Sequence, residues 1–116
     1  MDMPDENAPW RVGYYRDHRG KSPILEFINI LSASDTARVI ATVELLLEFG
    51  VNLGMPHARP LRDCIWELRA GPIRLLYFAD VERRFVILHA FRKTTQKTPD
   101  HEIETALRRM RELKEK

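Results

Sequence analysis

Three apolar runs crowded into residues 65–91 constrain this chain more than any other feature. Residues 65–70, 73–79 and 85–91 are rich in aliphatic, β-branched and aromatic side chains, and only Gly71-Pro72 and the charged stretch 80–84 separate them. Connections that short cannot carry a parallel return, which needs a crossover of about a dozen residues or more, so the runs are predicted to form an antiparallel meander. Alternation in 65–70 sends Trp66 and Leu68 to one face and Glu67 and Arg69 to the other. The near-continuous apolarity of 73–79 and 85–91 marks strands covered on both faces.

The rest of the chain supplies the cover. Residues 10–15 read as a first strand. Ser22-Pro23 then opens a helix whose stripe is Ile24, Phe27, Ile28 and Leu31, broken by residues 32–34. Asp35 opens a longer one carrying Val39, Ile40, Val43, Leu46 and Leu47, stopped by Gly50. Gly54, Pro56 and Pro60 make 51–60 a loop. Thr98-Pro99 repeats the cap-and-proline start ahead of a last helix with Ile103, Ala106, Leu107 and Met110 on its stripe. The expected architecture is α+β in the order β-α-α-β-β-β-α: an antiparallel sheet, a two-helix hairpin on one face, and a C-terminal helix. At 116 residues this is one domain over 1–116, with 1–9 flexible.

Several function classes drop out. A single cysteine, Cys64, cannot form an internal disulfide or a cysteine-rich zinc site, and it reads as a small buried hydrophobe. No run approaches the ~20 apolar residues of a membrane span, and residues 1–9 are too acidic and polar for a signal peptide, so the cytoplasm is expected. Glycine-rich phosphate loops, H-E-x-x-H and G-x-S-x-G are all missing. His18, His57, His89 and His101 have no ligand-like spacing, so neither metal nor cofactor is expected.

What remains is charge. The formal net charge is only +2, yet residues 56–98 hold nine bases and four acids while 1–55 hold five bases and eight acids. A basic middle in a near-neutral protein suits a polyanionic partner, or simply keeps a sheet soluble. Arg74 is the most informative residue, because it interrupts an apolar strand where an uncompensated guanidinium is costly. It either pairs internally, with Glu67 the available carboxylate, or lines a hollow that awaits an anion. The meander brings Arg69, Arg74 and the Arg92/Lys93 end close together. His89 is a base or a hydrogen-bonded core histidine, and Phe91 a stacking platform or plain core.

W-E-L-R at 66–69, I-R-L-L-Y-F at 73–78 and L-H-A-F-R-K-T-T-Q-K-T-P at 88–99 resemble the RelE/ParE toxin superfamily, specifically its HigB-like, phage-associated branch. The likeness extends over about residues 10–113. It implies a RelE-like fold and the toxin of a type II toxin–antitoxin system, an endoribonuclease that cuts mRNA on the ribosome without a metal and so blocks translation. The implied partners are a helix-turn-helix antitoxin, the ribosome and mRNA, with the free toxin a monomer. Arg69, Arg74, Lys93 and Lys97 fall at basic positions of the family's concave site. On physical grounds Arg69 and Arg74 suit the scissile phosphate and Lys93 proton transfer; Lys97 would do likewise or neutralise the leaving oxygen. Arg59, Arg62, Arg92, Phe91 and His57 are the candidate RNA contacts. Two positions depart from the pattern: Glu67 stands where some relatives place a base, and the last helix has no Tyr. The same scaffold also supports a ParE-like inhibitor of DNA gyrase, or a non-enzymatic prophage-derived binding protein.

Overall fold

A computed structural model of the chain describes residues 9–115; the expected flexibility of 1–9 falls almost wholly outside that range. The elements are β1 (Arg11–Tyr14), α1 (Pro23–Asn29), α2 (Ala33–Phe49), a 3₁₀ turn (Gly50–Asn52), β2 (Ala58–Pro60), β3 (Trp66–Ala70), β4 (Ile73–Asp80), β5 (Arg84–Arg92) and α3 (Asp100–Lys114). The strands form one sheet in the order β1-β5-β4-β3-β2. The predicted meander is β3-β4-β5, antiparallel throughout.

Five details depart from the expectation. The sheet is mixed, because β1 runs parallel to β5, with α1 and α2 among the long crossover between them. The loop 51–60 ends in a fifth, three-residue strand, β2, paired antiparallel to β3. Asp35 does not open α2, since the Ser32 hydroxyl already accepts from Asp35 N at 3.1 Å and starts the helix at Ala33. On that helix Ile40 lies on the exposed flank, and Cys64 is exposed in a turn where it and Asp63 take left-handed backbone.

Local chemistry explains the boundaries. The Ser22 hydroxyl accepts from Leu25 N at 3.3 Å, with Pro23 at the first helical position. Gly50 ends α2 at φ +58°, and a Cβ there would collide with Trp10, whose ring stacks on Phe85 at 4.2 Å. That stack pins the approach to β1. The core is continuous through the sheet, with Leu68, Leu75, Leu76, Ile87 and Leu88 all fully buried.

The two faces of the sheet differ in their cover. On one, α2 packs against β3, and its Asp35 accepts from Arg92 Nη2 at 2.6 Å. On the other, α3 lies against β5 and β4. Arg109 of α3 donates from Nη1 to Leu88 O at 2.9 Å and approaches His89 Nδ1 at 3.3 Å, while Glu102 Oε1 sits 2.8 Å from His89 Nε2. An arginine can only donate, so Nδ1 accepts and Nε2 carries the proton toward Glu102. His89 is therefore a satisfied, neutral histidine that latches α3 to the sheet. Among the described residues no helix is long and apolar enough to cross a membrane.

Burial holds the His89 pKa below its ordinary 6.5, against the pull of Glu102. Below that ordinary value the unfolded chain takes up a proton that the fold resists, so the contribution of His89 is complete above about pH 6.5 and lost as pH falls. Urea unfolding at about pH 7.5 and about pH 5.5 should show lower stability at the acid value, with a smaller drop in His89→Gln. Equal drops in the two proteins would remove this latch from the account.

Candidate functional site

Strand register places side chains before any chemistry is considered. Directly opposed residues of an antiparallel pair share a face, so Arg69 of β3, Arg74 of β4 and Phe91 of β5 lie in one row on the α3 side. Arg59, Glu67, Leu76 and His89 form or extend the neighbouring row. α3 covers the His89 part of this face and leaves the Arg69/Arg74 end open. There, residues 93–96 leave β5 with Lys93 N bonded to Pro72 O at 2.9 Å. The result is a cavity of about 590 Å³ lined by Arg69, Arg74, Lys93, Thr94, Thr95 and Gln96.

Like charges directly opposed across two strands repel, so the Arg69–Arg74 pair needs support. Glu67 supplies it. The carboxylate is fully buried, accepts from Arg59 Nε at 2.9 Å and from Thr98 Oγ1 at 3.0 Å, and lies 3.0 Å from Arg74 Nε. The Arg74 N–H is not aimed at that oxygen, and Nε counts as buried and without a hydrogen bond, as does Arg69 Nε. Arg74 Nη1 is held instead by Ile73 O at 3.1 Å and Gly71 O at 2.5 Å. Among the described residues no carboxylate comes within ion-pair range of Arg69 or Lys93. Both readings of Arg74 therefore hold together: it pairs with Glu67 and it lines a hollow in cationic excess.

The electrostatics agree. Arg74 is pulled below its ordinary pKa by burial first and by Arg69 and Arg59 next, against Glu67. Lys93 is also lowered, chiefly because burial disfavours its charge, with Arg74, Arg59 and Arg69 adding to this and Glu67 opposing it.

The other candidates separate. Lys97 opens onto a second cavity of about 340 Å³, shared with Arg59, Pro60, Leu61, Arg62 and Ile103. Arg62 is paired with Glu104 of α3. Arg92 points to the opposite face, held by Asp35, because the residue after Phe91 must alternate sides. Phe91 is only 7% exposed, stacks on His89 at 5.5 Å and lines neither cavity, which makes it core packing and not an open platform. His57 is exposed and its carbonyl accepts from Arg69 N at 2.8 Å, but its ring lines neither cavity. Thr94, Thr95 and Gln96 were not singled out by sequence, though a polar run directly after a strand ending in Arg-Lys was the available signal. Thr98 does not cap α3: its hydroxyl is spent on Glu67, and Pro99 takes the cap position without a side-chain bond.

Residues 26–111 match the model of the family described as phage derived protein Gp49-like (DUF891). A chain of the crystal structure of the toxin–antitoxin complex RelBE2 from Mycobacterium tuberculosis superposes with a TM-score of 0.54 at 23% identity, covering 74% of this chain and 100% of that one. The likeness is one of fold, and it makes the α+β architecture RelE-like. No curated protein sequence matches the chain.

Glu67→Gln removes the charge that offsets Arg59 and Arg74. Breaking a buried ion pair from one side typically costs ~3–5 kcal/mol; partial exposure of Arg59 puts this case near ~3 kcal/mol. Urea unfolding measures the loss, and added inorganic phosphate should recover part of it by occupying the unpaired guanidiniums. A change under ~0.5 kcal/mol would mean that Glu67 carries no structural charge balance.

Proposed function

The chain belongs to the phage-derived Gp49-like family, and from that premise we propose that it is the toxin of a type II toxin–antitoxin pair. In this reading it is a HigB-like endoribonuclease that cuts mRNA on the ribosome in the cytoplasm, without a metal, and blocks translation. The observation that carries the reading is the opposed pair Arg69–Arg74 beside Lys93, in an open cavity with fewer carboxylates than cations. Such an arrangement is costly in the empty protein and is relieved by an anion. A phosphodiester supplies one.

RNA brings its own nucleophile. The 2′-oxygen loses its proton and bonds to phosphorus, the bond from phosphorus to the 5′-oxygen breaks, and that oxygen takes up a proton. The protein needs to hold the phosphate, stabilise the charge that grows on it, and move two protons. Arg69 and Arg74 take the non-bridging oxygens, since a planar guanidinium grips two oxygens and keeps its charge. Lys93, with its pKa lowered by burial, is the proton-transfer group nearest that phosphate. Thr94, Thr95 and Gln96 offer neutral donors and acceptors to the ribose. A helix-turn-helix antitoxin would silence the free monomer, in keeping with the complex in which the superposed chain occurs.

Arg74→Ala should lower ribosome-dependent mRNA cleavage by about 10²–10³-fold, the usual loss of one donor to transition-state charge. If Lys93 is the base, the wild-type rate rises with pH and levels off below the ordinary lysine range, a limb that Lys93→Arg abolishes. Cleavage by Arg74→Ala equal to wild type, in primer extension on translating ribosomes, would overturn the assignment.

A further inference from the structure

The cavity around Lys97 has a different character from the first. Pro60, Leu61 and Ile103 give it an aliphatic side, while Arg59, Lys97 and Asp100 give it charge of both signs. Of its cations, Arg59 is occupied by Glu67 and Arg62 by Glu104. Among the described residues Lys97 has no carboxylate within ion-pair range. One free ammonium beside an apolar wall suits a group that is flat and apolar on its faces and carries a single negative charge nearby. A nucleotide has that chemistry, since every base presents an apolar face and every linkage one phosphate.

The position is equally informative. Arg59 stands directly across from Glu67, and Arg69 follows two residues along the same strand, a step of about 7 Å. The Arg59–Glu67–Arg74 ion chain joins the two cavities, with Arg74 lining the first and Arg59 the second. A single stretch of backbone serves both: residues 93–96 line the first and residues 97–98 the second. Sites this close, on one face and on one loop, accommodate consecutive units of one strand.

We infer that the cavity between β2 and the start of α3 is a second nucleotide subsite, which seats the base adjoining the phosphate held by Arg69, Arg74 and Lys93; this rests on the ribonuclease reading above. Lys97 meets the flanking phosphate, and Leu61 and Ile103 pack against the base. Its volume of about 340 Å³ falls within the usual range for small-ligand pockets.

Direct titration tests it on the full chain without ribosomes. Ribose 5-phosphate has a sugar and a phosphate but no base; a 2′-deoxy dinucleotide phosphorylated at both ends has two bases, a phosphate on either side of its linkage, and no 2′-hydroxyl through which it could be cleaved. In NMR spectra both probes should shift the amides of Arg69 and Lys93, and only the dinucleotide the methyls of Leu61 and Ile103. Lys97→Ala should weaken the dinucleotide about ten-fold, leaving ribose 5-phosphate within about two-fold. Shifts at Arg69 and Lys93 with still methyls would overturn the subsite while leaving the ribonuclease reading standing. Equal weakening of both probes by Lys97→Ala would also overturn it, since Lys97 would then act only as general positive charge.

Discussion

A fully buried carboxylate governs this molecule. Glu67 lies on the central part of the sheet yet faces no solvent, and its oxygens are shared among Arg59 of β2, Arg74 of β4 and Thr98 ahead of α3. An isolated ionised carboxylate could not stay there, and neither could isolated guanidiniums on the same face. Together they hold one another in place. Edge strand, meander and the entry to the last helix all meet at this group, so the geometry of the open cavity is set by the charge beneath it.

The same group explains why the hollow can be cationic at all. Glu67 offsets one charge of the cluster but leaves Arg69 and Lys93 without carboxylates of their own among the described residues. The surplus faces outward, toward the loop of Thr94, Thr95 and Gln96. A complete set of ion pairs would give a stable, inert face. A cluster with no carboxylate would splay its strands. One buried acid among several bases gives a rigid surface with unspent positive charge.

How much of this the sequence disclosed depends on how local each determinant is. The meander was legible because Gly71-Pro72 and residues 80–84 are too short for any other connection. Arg74 stood out because a charge in an apolar strand must have a reason. The direction of β1 was not legible, since its pairing with β5 is between segments remote in the chain. Thr98 misled for a different reason: Thr-Pro ahead of a helix looks like a cap, but a buried carboxylate competes for the same hydroxyl and wins it. Arg92 and Lys93, adjacent in sequence, part company because a strand alternates its faces, which sends one to Asp35 and the other to the cavity. Lys97 could not be assigned to a cavity from spacing alone, because the loop that carries it has no periodicity.

The margins of the sheet carry a last consequence. Its outermost strands, β1 and β2, span only four and three residues, and β2 ends in a proline with no amide hydrogen to offer. A foreign chain finds scarcely any free ladder to extend, which blunts the edge-to-edge stacking that leads to insoluble aggregates.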